Sequence, residues 1–139
     1  MAYDNQNPFA RILRGELPCI KVYEDASTLA IMDIMPQAPG HVLVLPKEAA
    51  AELFELSEEG AVACIRTVKK VAAAVRTAMD APGIMIAQLN GSAAGQTVPH
   101  LHFHIIPRRE AASLLPHAAV PAEMDQLRAI AGRIVAALS

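Results

Sequence analysis

Three of the chain's five histidines fall within five residues, as His100-Leu101-His102-Phe103-His104. Alternate residues of a β-strand point to one side, about 7 Å apart in steps of two. A strand here would put the three imidazoles on one face and Leu101, Phe103 and Ile105 on the other. Imidazole is largely neutral near pH 7, so such a face offers lone pairs for two kinds of chemistry. One is metal ligation. A His-x-His strand can present two imidazoles to zinc, with His41 or a carboxylate completing the set that a closed or catalytic site needs. The other is nucleophilic catalysis, in which neighbours fix the tautomer and charge of the attacking ring. A solvated face is the plain alternative, but lysine, glutamate, threonine and serine usually fill such faces. Spacing alone leaves metal and nucleophile both open.

The segment leading into the histidines tilts the balance. It reads Asn90-Gly91-Ser92-Ala93-Ala94-Gly95-Gln96-Thr97. Glycines let backbone N–H groups approach a ligand, and the Asn, Gln and Thr side chains add neutral donors. Such a loop suits phosphate oxygens and suits a cation poorly. Alone it is a tight turn between strands; joined to three aligned histidines it points to an anion.

The elements that would position these groups follow from the pattern. Residues 8–14 read as a short helix, with Pro8 at its start and Gly15 past its end. Residues 19–24 and 28–33 read as two strands joined by a turn at Asp25-Ala26-Ser27. A third strand covers 41–45, a fourth 84–90 and a fifth 100–106. Between the third and fourth, Ser57-Glu58-Glu59 starts a helix that runs to Asp80. Ala61, Cys64, Ile65, Val68, Ala72, Val75 and Met79 mark its apolar stripe. A C-terminal helix is expected within 121–138. Strands grouped in hairpins predict an α+β fold: a five-stranded antiparallel sheet, one long packing helix, and short N- and C-terminal helices.

Composition bounds the rest. A chain of 139 residues fits one domain, here 1–139 with a core of about 8–109. Twenty-seven alanines swell the 53% hydrophobic content. Nothing resembles the ~20 apolar residues of a membrane span, and no signal peptide is visible at the start. A net charge of −2 argues against a broad nucleic-acid surface but not against a small anionic ligand. Two cysteines, Cys19 and Cys64, are too few for a disulfide scaffold and read as buried, reduced thiols in a cytoplasmic protein.

At this point the chain resembles the histidine triad family. The signature stands as His100-Leu101-His102-Phe103-His104-Ile105-Ile106, with GQTV before it and PR after it. RGELP at 14–18, VYED at 22–25 and DIMPQAPGHVLVLPK at 33–47 also match, so the resemblance runs from about Phe9 to Arg108. It implies a two-fold homodimer whose sheets join into ten strands. It implies a hydrolase or nucleotidyl transferase acting at the α-phosphate of a purine nucleotide derivative, such as a nucleoside phosphoramidate. The alternatives within the resemblance are a dinucleoside polyphosphate hydrolase and a non-catalytic nucleotide-sensing module.

The resemblance also implies roles. His102 is the expected nucleophile, its far nitrogen held by the His100 carbonyl. His104 would contact phosphate near the leaving group, and His41 would support the His100 side chain. Asn90, Gly95, Gln96 and Thr97 would hold phosphate oxygens. Asp33 would accept from ribose hydroxyls, and Phe9, Ile12, Ile31 and Ile34 would line the base pocket. Some members carry zinc on a Cys-x-x-Cys and a later histidine. Those places read Asn7-Pro8-Phe9-Ala10 and Lys47-Glu48-Ala49-Ala50-Ala51 here, so no metal and no cofactor is expected. His117 lies outside every motif and is expected at the surface.

Overall fold

The computed structural model describes residues 3–110, 113–116 and 118–138. His117 lies outside the described residues. In chain order the elements are α1 (Pro8–Leu13), β1 (Lys21–Glu24), β2 (Thr28–Met32), β3 (Val42–Pro46), α2 (Glu58–Ala78), β4 (Gly83–Gln88), β5 (Phe103–Arg108) and α3 (Met124–Ala137). Short 3-10 turns cover Leu53–Glu55 and Ser92–Ala94. The strands form one antiparallel sheet in the order β1-β2-β3-β5-β4. This is the α+β architecture that the grouped strands predict. No helix among the described residues is long and apolar enough to cross a membrane.

Each element has a local cause. In α1 the Asn7 side chain accepts from Ala10 N–H at 2.9 Å, and Pro8 fills the first turn, where its missing N–H costs nothing. In α2 the Ser57 hydroxyl accepts from Gly60 N–H, and Glu58 and Glu59 sit at the positive dipole end. The Asp25 carboxylate accepts from the Ser27 and Thr28 N–H groups and so closes the β1–β2 turn.

The sheet buries both faces around β2 and β3, which is why TLAIM and VLVLP carry no alternation of polarity. On one face Ala30, Met32, Val42 and Val44 meet Cys64, Val68, Val71 and Val75 of α2 and Leu127, Ile130 and Ile134 of α3. On the other, Leu29, Ile31, Leu43 and Leu45 meet Phe9 of α1. Each fully buried Val or Leu contributes roughly 1.5–3 kcal/mol of transfer free energy. Both helical layers therefore fix the sheet between them.

Four sequence expectations need correction. β5 begins at Phe103, so His100 and His102 precede the strand. The cause is backbone pairing elsewhere: Leu101 N–H donates to the Ala50 carbonyl rather than to a sheet neighbour. The alternation survives, since Leu101, Phe103 and Ile105 all pack into the α2 side. β1 begins at Lys21 rather than Cys19, and Cys19 is exposed rather than buried. Ile65 is 53% exposed, and the α2 stripe uses Thr67 instead. Thr67 can be buried because its hydroxyl bonds that of Thr28 at 2.7 Å. Cys64 is buried as expected, and burial pushes its thiol up to about 12.

Candidate active site

The α1 face of the sheet holds a cavity of about 400 Å³. Its walls are mostly apolar: Phe9 and Ile12 from α1, Ile31 from β2, Leu43 from β3, and Val98. Its polar groups are Asp33, Thr97, His102 and His104. An apolar slot with a few convergent polar groups is the ordinary form of a small-molecule site. No lysine or arginine is among the described residues that line it. An anion here would be met by imidazoles and neutral donors.

The hydrogen bonds fix which ring nitrogen carries each proton. A carbonyl oxygen only accepts, so His102 donates through Nδ1–H to the His100 carbonyl at 2.7 Å. In the neutral ring that leaves the lone pair on His102 Nε2. His100 donates through Nε2–H to the Pro46 carbonyl at 2.8 Å, and its Nδ1 accepts from the Tyr3 hydroxyl at 2.7 Å. His100 is completely buried, and that burial lowers its pKa despite the Pro46 carbonyl, which favours the charged form.

A second chain sets His104. The Gln37 backbone N–H donates to His41 Nδ1 at 3.0 Å, so His41 carries its proton on Nε2. That Nε2–H donates to His104 Nδ1 at 2.9 Å. His104 in its neutral form then holds its own proton on Nε2. Thus one ring of the neighbouring pair is a base at Nε2 and the other a donor at Nε2. The His102 and His104 ring centres lie 5.0 Å apart. Phe9 packs its ring edge-to-face with His102 at 4.9 Å and holds it from the α1 side.

This order bears on metal binding. Asp33, His41 and His104 bring ligand atoms within 4.8 Å of one another. A metal at that point would need a lone pair on His41 Nε2, where the Gln37 N–H has fixed a proton. The trio is arranged as a proton-bearing chain and fits a cation poorly.

A sequence model of the HIT domain matches residues 14–111. The chain belongs to the HIT family. Among its relatives is the Schizosaccharomyces pombe adenosine 5'-monophosphoramidase hnt1, 44% identical over 100 residues, 72% of each chain. Another is the Arabidopsis thaliana adenylylsulfatase HINT3, 39% identical over 106 residues, 76% of this chain and 54% of that one. A solved Hit-like protein from Bartonella henselae, described as involved in cell-cycle regulation and as holding an unknown ligand, is 47% identical. It covers 99% of both chains with a TM-score of 0.93.

Against this HIT framework the site residues sort clearly. Phe9, Ile12, Ile31, Ile34, Asp33, Thr97, His102 and His104 line the cavity. His100 and His41 stand behind the two lining histidines. His41 supports the His104 side chain, not the His100 side chain as the resemblance implies; His100 is held instead by Pro46 and Tyr3. Asn90, Gly95 and Gln96 are not in the lining. Asn90 binds Gln88 and accepts from Leu53 N–H. Gln96 is buried, accepting from Gly91 N–H and donating to the Ala51 and Val98 carbonyls. Its amide braces the loop from inside. Gly95 takes φ +99, a left-handed turn that favours glycine.

Sequence reasoning missed Tyr3, the Gln37 N–H, the Pro46 carbonyl, and Leu43 and Val98 of the lining. Backbone donors and acceptors leave no mark in residue type, so nothing pointed to Gln37 or Pro46. Leu43 is also part of the buried cluster around Phe9, and Val98 packs against it.

Proposed function

We propose that the chain hydrolyses a purine nucleoside phosphoramidate through a nucleotidyl-histidine intermediate on His102. The observation that carries this reading is the opposed tautomer pair: His102 with its lone pair on Nε2 and His104 with a proton on Nε2, side by side in an apolar slot. His102 Nε2 would attack the α-phosphorus as the bond from phosphorus to the leaving amine breaks. His104 Nε2–H would give its proton to that amine. Water would then attack the same phosphorus while giving a proton back to His104 Nε2, the bond to His102 would break, and the nucleoside monophosphate would leave. Two displacements replace one difficult step, and the proton donor supplies roughly 10²–10⁴-fold.

The cavity supports a nucleotide. Phe9, Ile12, Ile31 and Ile34 offer apolar surface to a base, and the Asp33 carboxylate can accept from ribose hydroxyls. Thr97 and the two imidazoles would meet the phosphate, with Gln96, Asn90 and Gly95 holding the loop that presents Thr97. The two relatives named above for activities on adenylyl compounds support the choice of purine nucleotide. The pairing of two chains through β4 belongs to the same reading. That strand is a sheet edge, and Ile86 on it and Val62 and Ile65 on α2 are about half exposed.

The test is one kinetic comparison. Adenosine phosphoramidates, diadenosine polyphosphates and adenylyl sulfate are offered to the wild type and to His102→Asn. Turnover of the phosphoramidate above the others, lost in a folded His102→Asn protein, supports the proposal. Faster release from the dinucleotide would assign the polyphosphate activity instead. Nucleotide binding with no turnover of any substrate would make the chain a nucleotide-sensing module.

A further inference from the structure

The N-terminal segment before α1 contributes a side chain to the histidine network, and nothing in the reaction above uses it. The Tyr3 hydroxyl lies 2.7 Å from His100 Nδ1, and the two rings meet edge-on with centres 5.6 Å apart. We infer that Tyr3 is a positioning residue for the nucleophile, acting through His100.

Three observations link the two ends. First, His100 is completely buried, so its Nδ1 depends on a protein donor, and the Tyr3 hydroxyl supplies one. Second, that donation selects the Nε2–H form of His100, the form that reaches the Pro46 carbonyl at 2.8 Å. The ring is thereby pinned from both sides, between α1's approach and the end of β3. Third, His100 precedes the regular strand, so sheet pairing does not hold its carbonyl. That carbonyl is the group on His102 Nδ1, at 2.7 Å. The pinned ring fixes the residue, the residue fixes the carbonyl, and the carbonyl fixes the proton of His102 away from Nε2.

Phe9 shares this task through shape alone. Its ring sits edge-to-face with His100 at 6.4 Å and with His102 at 4.9 Å, but it offers no donor. Tyr3→Phe therefore removes the selecting hydrogen bond and keeps the packing. With its donor gone, the His100 ring can rotate or exchange tautomer, and the carbonyl loses its anchor. His102 should then populate the Nε2–H form, which cannot attack.

The inference deepens the proposed reaction and rests on it only for its kinetic arm. The direct readout is ring nitrogen chemical shifts and long-range proton–nitrogen correlations for His100 and His102, in wild type and Tyr3→Phe. The expected wild-type pattern is Nε2–H on His100 and Nδ1–H on His102. In Tyr3→Phe both should become tautomer mixtures. With an adenosine phosphoramidate, kcat should fall about tenfold while KM stays within twofold. Unchanged tautomers in Tyr3→Phe overturn the inference, whether kcat falls or not. If Tyr3→Phe does not fold, 3-fluorotyrosine in a Tyr23→Phe background keeps the hydroxyl and makes it a stronger donor. It should shift the His100 Nδ1 resonance, and no shift overturns the inference. A wild type that turns over no substrate, with the tautomer changes intact, would count against the reaction and leave Tyr3's role standing.

Discussion

Replacing His41 by phenylalanine tests whether His104 is a proton donor to the leaving group. His41 is fully buried, takes the Gln37 N–H at 3.0 Å and gives its own proton to His104 Nδ1 at 2.9 Å. Phenylalanine keeps the ring and removes both bonds. Each buried partner left unsatisfied costs about 1–3 kcal/mol, so stability should fall by roughly 2–4 kcal/mol after allowing for local relaxation. The catalytic loss should depend on the leaving group. Without His41, His104 loses the Nδ1 donor that selects its Nε2–H form. A poorly leaving alkylamine needs that proton, and its turnover should drop by about 10²–10³-fold. A nitrophenolate on the same adenylyl group leaves without protonation and should lose less than about fivefold, since it needs no general acid. The assay is steady-state kcat/KM for both substrates, with urea unfolding of the same samples. Equal losses on the two substrates would refute the donor role of His104 and reduce His41 to a packing residue.

The remaining predictions concern the frame. In Gly40→Ala the new Cβ would lie 2.7 Å from Met79 Cγ at φ +91, beside His41, so urea unfolding should show a loss of about 2 kcal/mol or more. Gln96→Glu turns a carboxylate toward the Ala51 and Val98 carbonyls; it should be less stable than Gln96→Ala at pH 8, with the order narrowing as pH falls. His100 is held neutral by burial, so its folded pKa lies below the unfolded value of about 6.5. The unfolded state therefore binds more protons in acid, and His100's contribution to stability is full above about pH 6.5 and is lost as pH falls below it. Unfolding free energies between pH 8 and 5 should show a slope that His100→Gln makes shallower.

The fold was readable because its elements announce themselves locally. Ser57-Glu58-Glu59 caps α2, Asp25 makes the first turn, and Pro8 and Gly15 bracket α1. Failures came where tertiary pairing overrode local pattern. The alternation at His100–His104 mimics a strand throughout, yet the Ala50 carbonyl takes the Leu101 N–H and delays β5 to Phe103. Ile65 fits the helical stripe of α2 but emerges half exposed, while Thr67 is buried by a hydroxyl partner 39 residues away.

The site was legible to the level of residue type and no further. Histidine at 41, 100, 102 and 104 marked the chemistry, and a resemblance supplied roles. Which histidine leans on which depended on groups without a signature: the Gln37 N–H, the Pro46 carbonyl and the Tyr3 hydroxyl. Gln96 shows the reverse limit. An amide in a glycine loop suggests a ligand contact, but burial spent both of its ends on the loop itself.

The central claim is that His102 Nε2 becomes bonded to phosphorus. Rapid acid quench of the protein with an adenosine phosphoramidate, followed by peptide mass mapping, tests it directly. The account predicts an adenylyl group on the peptide containing His102, assigned to that ring by fragmentation and absent from His102→Asn. Turnover with the label on His100 or His104, or with no covalent intermediate under single-turnover conditions, would contradict it.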